Sequence, residues 1–195
     1  MILKPRPFST ITGTFKHFNY LLLTKIMEVR SISPEQQLQL DKVVPSENRG
    51  TLYYPCQVTL TDGTIIDNVY IMEHQSYLRS WVIMPDVDRG KQHILIENVL
   101  DIRDSPNRLP VKFANELYKA GESGMGYIIF KILYDNGSTM DTSTGNAVDF
   151  VPSPDGLTTK NIVDVLPHRG SRENFVRPLG YYWCLYKKKR NRGWF

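Results

Sequence analysis

The chain has 195 residues, of which 41% are hydrophobic and 23% are charged. This composition is typical of a globular protein rather than a disordered or membrane-embedded one. Even the apolar stretch YLLL, at Tyr20 to Leu23, is far shorter than the roughly 18 residues that a membrane-spanning helix requires. The length predicts one sizeable core or two small ones.

The net charge of +4 is concentrated at the two ends of the chain. Residues 1–27 and 187–195 together contain nine of the 24 lysines and arginines and no acidic residue. The body between them therefore has 15 basic and 20 acidic residues, a net charge of −5. A basic tail on an acidic body predicts a local contact with nucleic acid at most, rather than phosphate binding across the fold.

We interpret residues 1–32 as an arm or a non-native N-terminal extension. Residues 1–27 contain no acid, several serines and threonines, and a second methionine at Met27. An organellar transit peptide has a similar composition, whereas Lys16 interrupts the apolar stretch that a secretory signal requires. An upstream translation start is the simpler interpretation.

The two cysteines, Cys56 and Cys184, lie in the apolar stretches YYPCQV and YYWCLY. They lack C-x-x-C spacing, which favours buried free thiols over a disulfide or a metal site. This pattern fits a reducing compartment, and we expect a cytoplasmic protein.

The first half of the body begins with a helix signal. SPEQ, from Ser33 to Gln36, places Ser at the N-cap and Pro at the first helical position, and predicts a helix to about Leu40. After Thr51, side chains alternate in a strand-like pattern along LYYPCQVTL. A turn is predicted at TDG and a return strand at TIIDNVYIM, so the segment is predicted to form a β-hairpin. RSWVIM is predicted as another strand. HILIENVLDI is predicted as a long strand, or as a strand followed by a short helical turn.

The second half repeats this order after the linker RDSPNRLP. A helix is predicted from Val111 to Ala120, because apolar residues recur at helical spacing and Gly121 is placed for a C-cap. The strands that follow are YIIFKILY, a return strand after the turn DNG, AVDFV and TKNIVDV. The fold class is therefore mainly β with two short helices.

Two stretches, IENVLDI and TKNIVDV, have Asn and Asp at matching places. Each closes a set of strands in the same order, with turns at Gly63 and Gly137. The shared order favours an internal duplication, with the unequal spacing absorbed by loops.

Short, bent strands with a first turn at Gly and a last strand of this type resemble the SH3-like and Sm-like small β-barrels, over about 43–106 and 124–186. The resemblance implies two such modules joined by a helix. The Asp and Asn positions of the Sm family are not recognisable after either glycine, so no RNA-binding residues are carried over. The implied division is an arm (1–32), a first module with its leading helix (33–106), a linker and helix (107–123), a second module (124–186) and a basic tail (187–195).

The string GESGMG offers Ser123 between glycines. A nucleophile elbow would need Gly where Met125 stands, and a phosphate loop should open a helix rather than close one. A helix C-cap followed by a turn is the better interpretation.

No catalytic, metal or cofactor residue is assigned from the sequence. Asp86 and Asp88 stand two positions apart, as the carboxylate ligands of a calcium-binding loop do. The third ligand position is occupied by Gly90, which has no side chain to bind the ion. A solvated turn is therefore favoured. The four histidines are scattered along the chain, so their spacing supports neither a metal site nor a general base.

The C-terminal stretch GYYWCLYKKKRNRGWF combines aromatic residues with five bases, which is what single-stranded nucleic-acid binding requires. The alternative is that 180–186 closes the second module and the bases are solvated. The candidate nucleic-acid contacts are Tyr186, Lys187, Lys188, Lys189, Arg190, Arg192 and Trp194.

Our leading hypothesis is a non-enzymatic protein that binds a protein or small-molecule ligand, at a barrel face or in the cleft between the modules. Tyr70, Trp81 and Tyr127 are the candidate partner contacts, and Tyr53 is a further aromatic residue of this kind. Nucleic-acid binding through the tail is the alternative. A small enzyme with a site between the modules is the third hypothesis, and it requires Asp, His and Ser side chains clustered in one cleft. No membrane partner is expected.

Overall fold

A computed structural model of the chain describes residues 28–88, 90–171, 173, 176 and 179–188. The helices are α1 (Pro34–Leu40), α2 (His74–Trp81) and α3 (Val111–Ala120). The strands are β1 (Ser46–Asn48), β2 (Thr51–Leu60), β3 (Ile65–Glu73), β4 (Gln92–Leu95), β5 (Val99–Asp104), β6 (Ile128–Tyr134), β7 (Thr139–Thr144), β8 (Ile162–Pro167) and β9 (Tyr182–Tyr186). None of these helices is long and apolar enough to cross a membrane.

The strands form two sheets, which confirms the mainly β prediction. The first sheet has the order β1-β2-β3-β9-β4, and β5 also pairs with β2. The second sheet has the order β7-β6-β8. No closed barrel is found among the described strands, so the SH3-like or Sm-like barrels are not confirmed.

The last strand, β9, lies inside the first sheet and runs parallel to both β3 and β4. The alternative prediction that 180–186 closes the second module is therefore wrong. A parallel strand covered on both faces is typically a continuous apolar run, and YWCLY is such a run. Trp183 and Leu185 face one core cluster, whereas Cys184 and Tyr186 face the other.

The two core clusters lie on opposite faces of the first sheet. One contains Val69 and Ile71 of β3 together with Leu40 of α1. The other contains Tyr70 and Met72 of β3 and extends to the second sheet and α3. Since side chains alternate along a strand, β3 belongs to both clusters and joins them into one structure.

Both predicted helices are confirmed, and a third is found where the sequence predicts a strand. Ser33 caps α1 with the predicted capping box, and Gly121 ends α3 with φ +78°. RSWVIM is not a strand, because α2 covers its first half. The Glu73 side chain accepts the N–H groups of Gln75 and Ser76 and starts this helix. AVDFV is not a strand either, although Phe150 forms an isolated bridge with Arg108.

Two sets of three strands share one pairing pattern. We call β2, β3 and β5 the first unit, and β6, β7 and β8 the second unit. In each unit the hairpin pairs with a strand that follows a single 3₁₀ turn, and the register of that pairing shifts at one position. The matched pairs are Thr59↔Asp101 with Leu133↔Asp164, Leu60↔Val99 with Tyr134↔Ile162, and Val58↔Ile66 with Ile132↔Met140.

The hydrogen bonds at the turns match as well. The Asn98 carbonyl accepts the N–H of Thr61 at 2.9 Å, and the Asn161 carbonyl accepts the N–H of Asp135 at 2.9 Å. Both turn glycines have positive φ, +86° at Gly63 and +81° at Gly137. The matched asparagines therefore serve strand closure through their backbones.

The N-terminal arm is described only from residue 28. Ser31 pairs with Lys187 beyond the end of β9, and Ile32 is buried beside it. The rest of the predicted arm, 1–27, lies outside the described residues.

Candidate functional site

A cavity of about 450 Å³ opens between the first sheet and the second unit. We call it the cleft. Its walls come from the β1–β2 turn, the end of α2, the end of α3, the start of β6 and the segment after β7. The lining residues are Asn48, Arg49, Thr51, Tyr53, Arg79, Ser80, Trp81, Tyr118, Gly121, Glu122, Ile128 and Asn146.

The first wall of the cleft is the two-residue turn between β1 and β2. Arg49 and Gly50 both have positive φ, +50° and +78°. A turn of this shape favours Asn-Gly, because positive φ is unfavourable for most side chains. The exposed side chain of Arg49 is thus held at the cleft by a backbone conformation that arginine rarely adopts.

The second wall of the cleft is the end of α2. The hydroxyls of Ser80 and Thr51 lie 3.2 Å apart and link this helix to β2. The N–H of Ile83 donates to the carbonyl of Trp81 at 2.7 Å across Val82, which has φ +66° and ψ −40°. This is a γ-turn of the strained kind, and a β-branched residue at its centre is an outlier.

Trp81 forms the aromatic side of the cleft. Its ring is stacked on Tyr77 at 6.2 Å and meets Trp183 edge-on at 5.0 Å. The Lys91 ammonium lies 4.6 Å from the Trp81 ring centroid. These contacts fix the indole, while its buried N–H has no hydrogen-bond partner of normal geometry among the described residues.

The Tyr53 side chain lies at the base of the cleft and is 2% exposed. Burial raises the pKa of its hydroxyl, while the neighbouring side chains of Trp81, Ser80 and Asn48 partly oppose that rise. Tyr53 also stacks on Tyr118 of α3, with ring centroids 5.4 Å apart. The base of the cleft is therefore a rigid aromatic surface that joins the two sheets.

The opposite wall belongs to α3 and the second unit. The Glu122 carboxylate accepts the N–H of Gly126 at 3.0 Å, which holds the loop after α3. Asn146 follows β7, and its Oδ1 is buried without a hydrogen-bond partner in the described part of the chain. An unpartnered buried acceptor is costly unless something else supplies the donor.

The charges that line the cleft have the opposite sign from the body. Its ionisable lining consists of Arg49, Arg79 and Glu122 beside the tyrosines. Neither arginine forms an ion pair with a described acidic residue, although Arg79 donates to the Ser76 hydroxyl at 2.8 Å. The cleft is thus a locally basic surface on an acidic body.

A buried polar network lies behind the base of the cleft. Asp149 is fully buried, and it accepts hydrogen bonds from the hydroxyls of Ser46 and of Tyr118, the latter at 2.8 Å. The Arg108 guanidinium lies 3.7 Å from the same carboxylate. Burial raises the pKa of Asp149, while these donors oppose the rise. The network connects β1, α3 and the segment after β7, and its burial makes it structural.

Ser123 and His168 form a second polar contact, next to the cleft. The Ser123 hydroxyl lies 2.7 Å from His168 Nδ1 and accepts the N–H of Ile129 at 2.8 Å. The His168 Nε2 lies 3.3 Å from the carbonyl of Ala120, at the end of α3. The hydroxyl thus fastens the loop onto β6, which agrees with the interpretation of GESGMG as a helix end and turn.

The structure places the three candidate partner contacts in different surroundings. Tyr70 is fully buried, and its hydroxyl accepts the N–H of Asp149 at 2.8 Å. Trp81 lines the cleft. Tyr127 is half-buried next to Gly124, outside the cleft lining. Only Trp81 of the three therefore belongs to the candidate site.

Two aromatic residues of the C-terminal stretch are internal, where they cannot stack on nucleic-acid bases. Tyr186 is 2% exposed and Trp183 is fully buried. Lys187 and Lys188 are exposed at the end of β9. The four remaining candidates lie outside the described residues: Lys189, Arg190, Arg192 and Trp194.

The structure also tests other sites raised by the sequence. Cys56 and Cys184 are free and buried, as expected. The Asp88 carboxylate accepts the N–H of Gly90 at 3.0 Å within its turn. Within the described ranges, no group of three or more His, Cys, Asp or Glu residues is placed to hold a metal ion.

Sequence reasoning misses Arg49, Arg79 and Asn146. The stretch VPSENRG has the composition of a loop, although Arg-Gly between two polar strand ends is compatible with a two-residue hairpin turn. Arg79 escapes notice because the sequence around α2 predicts a strand. No local signal in the sequence places Asn146 at the same cleft.

Comparisons of the chain with family profiles, with curated proteins and with solved structures found no match.

Proposed function

We propose that the protein is a non-enzymatic binding protein whose ligand occupies the cleft. The observation that carries this proposal is a cavity with walls from both units, lined by Trp81 and by two arginines that form no ion pair with a described acid. Its volume of about 450 Å³ lies in the range of small-molecule sites.

Backbone strain supports the same location. Three non-glycine residues have positive φ in the described part of the chain: Arg49, Val82 and His168. Arg49 lines the cleft, Val82 follows Trp81, and His168 contacts the residues on either side of Gly121 and Glu122. Strained residues cluster at functional sites because the surrounding structure maintains them for a purpose other than stability.

The chemistry of the lining favours binding over catalysis. Hydroxyls, amides and two guanidinium groups face the cleft, and its described lining contains no histidine, cysteine or aspartate. The Ser123 and His168 side chains are engaged with backbone groups outside it. The enzyme hypothesis requires Asp, His and Ser side chains clustered in one cleft, and the described lining of this cleft contains only serine of these three.

We further infer that the two units arose by duplication of one SH3-like module. The shared register, the shared 3₁₀ turn and the equivalent turn hydrogen bonds support this inference. The cleft lies where the two units meet, so neither unit would form it alone. Duplication would thus have created the binding site at the boundary between the two copies.

Indole N–H signals in a ¹H–¹⁵N correlation spectrum test the proposal. The chain has three tryptophans: Trp81 in the cleft, Trp183 in the core and Trp194 in the tail. The protein would be screened against small neutral, anionic and cationic organic molecules. We expect at least one compound to shift the Trp81 signal more than the other two.

A matched pair of variants controls the screen. Ser80→Phe fills the cleft and should abolish the shift, whereas Gln75→Phe, on the same helix but outside the cleft lining, should preserve it. A screen in which no compound shifts Trp81 would contradict the proposal. A response confined to Trp194 would instead favour the tail as the binding site.

A further inference from the structure

We infer that the cleft selects a small organic oxyanion, a carboxylate or a phosphate. This inference rests on the proposed function and specifies the ligand. It follows from the two arginines that line the cleft, from the absence of ion-pair partners for them among the described acids, and from the conformation of Arg49.

The arginines of the cleft lack the ion pairs that three other described arginines form. Arg30, Arg103 and Arg108 each have a carboxylate within 4 Å, whereas Arg49 and Arg79 have none among the described acids. Guanidinium groups form strong hydrogen bonds with carboxylates and phosphates. Arg169 also lacks an ion pair with a described acid, but it lies outside the cleft lining and provides a control.

The backbone of Arg49 points to a role for its side chain. Position 49 has φ +50°, where Asn or Gly would be relaxed. Arginine in that conformation destabilises the turn, and its side chain has no hydrogen bond or ion pair within the described ranges that would offset the strain. A role in ligand binding accounts for a long cation at this turn.

The charge of the cleft contrasts with that of its surroundings. The body from Glu28 to Tyr186 has a net charge of −5, whereas the cleft presents two guanidinium groups and one carboxylate. A basic recess on an acidic surface concentrates anions locally and repels them elsewhere. The cleft should therefore bind anions more strongly at low ionic strength.

Two matched pairs of probes test the inference, each differing in the anionic groups. Glycerol 3-phosphate is compared with glycerol, and tartrate with threitol, by titration of the Trp81 indole signal at low and high salt. We expect one or both anions to shift Trp81, with weaker binding at high salt, and the two neutral polyols to bind at least about tenfold more weakly. The preferred anion distinguishes a phosphate ligand from a carboxylate ligand.

Variants identify the groups responsible. Arg49→Asn suits the turn better than arginine and should weaken anion binding about tenfold or more without lowering the melting temperature. Arg79→Gln should weaken binding similarly, and Arg169→Gln should leave it unchanged. Retained anion affinity in both cleft variants would overturn the inference.

The remaining outcomes separate this inference from the proposed function. If the polyols bind as tightly as the anions, anion selection is wrong while the cleft remains a binding site. If no anion shifts Trp81 but a cationic or neutral compound in the broader screen does, the ligand class is wrong and the proposed function stands. If nothing shifts Trp81 in either experiment, both fail.

Discussion

The two units have the same pairing pattern but different surroundings. The first unit receives β9 along β3, and β4 beyond it. The second unit remains a three-stranded sheet. On the side of β7 that corresponds to the β9 side of β3, the described residues form only an isolated bridge, between Thr142 and Val176. The same three-stranded pairing is therefore extended by further strands in one sheet and not in the other.

The segments that follow the two return strands differ in the same manner. After β3 the chain forms α2 and carries Arg79 and Trp81 to the cleft, whereas after β7 it takes an irregular path through Asn146 and Asp149. Each unit thus supplies one wall from the position just beyond its hairpin. The difference between the units creates the asymmetry of the cleft.

The largest effect is expected where the first unit depends on β9. Trp183 is fully buried against Tyr53, Tyr70 and Trp81. Trp183→Ala should lower the free energy of unfolding by about 3–5 kcal/mol. Urea denaturation measures this loss. A loss below about 1 kcal/mol would show that β9 is not needed to complete the first unit.

The second prediction concerns the network that joins the units. Arg108→Met leaves the Asp149 carboxylate buried without this cation, and should lower the free energy of unfolding by about 3–5 kcal/mol. Arg103→Met removes an exposed ion pair with Asp101 and should cost at most about 1 kcal/mol. Equal losses in the two variants would contradict a role for Arg108 in joining the units.

The third prediction is the pH dependence of the same network. Burial raises the pKa of Asp149 above its ordinary value of 3.8, so the folded protein holds a proton that the unfolded chain has lost. This group therefore contributes stability below pH 3.8, and that contribution falls as the pH rises through the folded pKa. The stability of the wild type relative to Asp149→Asn should decrease as the pH rises from 3.8 through the folded pKa. Parallel stability curves would contradict this account.

The fourth prediction compares equivalent turns. Gly63 and Gly137 have φ +86° and +81°, and the space that a Cβ atom would occupy at each position is open. Alanine at either position should therefore cost only the backbone strain, about 1–2 kcal/mol. Equal losses in denaturation would support equivalence of the units. A loss of stability in only one of the two alanine variants would contradict the equivalence of the two turns.

The smallest effects are expected at the strained positions around the cleft. Arg49→Asn and Val82→Gly relieve unfavourable φ values and should each raise the free energy of unfolding by about 0.5–1 kcal/mol. Thermal denaturation measures both. A loss of stability in either variant would show that its backbone is not strained.

Much of the fold follows from local sequence signals. The capping box at Ser33, the helix from Val111 to Ala120 and the two glycine turns are encoded by neighbouring residues, and all are predictable. The place of β9 in its sheet is not, because parallel pairing across more than 100 residues leaves no local pattern. α2 escapes prediction because its last residues, Arg79 to Trp81, run on into the apolar residues Val82 to Met84, and the whole stretch also fits a short strand.

The site is less predictable than the fold. Trp81 is identified from its residue type alone. The cleft also needs a turn at Arg49 and an amide at Asn146, which lie 97 positions apart in the chain. Only tertiary packing of the two units brings them to one cavity, so no spacing rule could find the pair.

A crystal structure of the protein with the tightest-binding anionic probe tests the central claim most directly. We predict electron density for the probe in the cleft, with its anionic group between the side chains of Arg49 and Arg79. Density outside the cleft, with an empty cavity between the two units, would contradict the account.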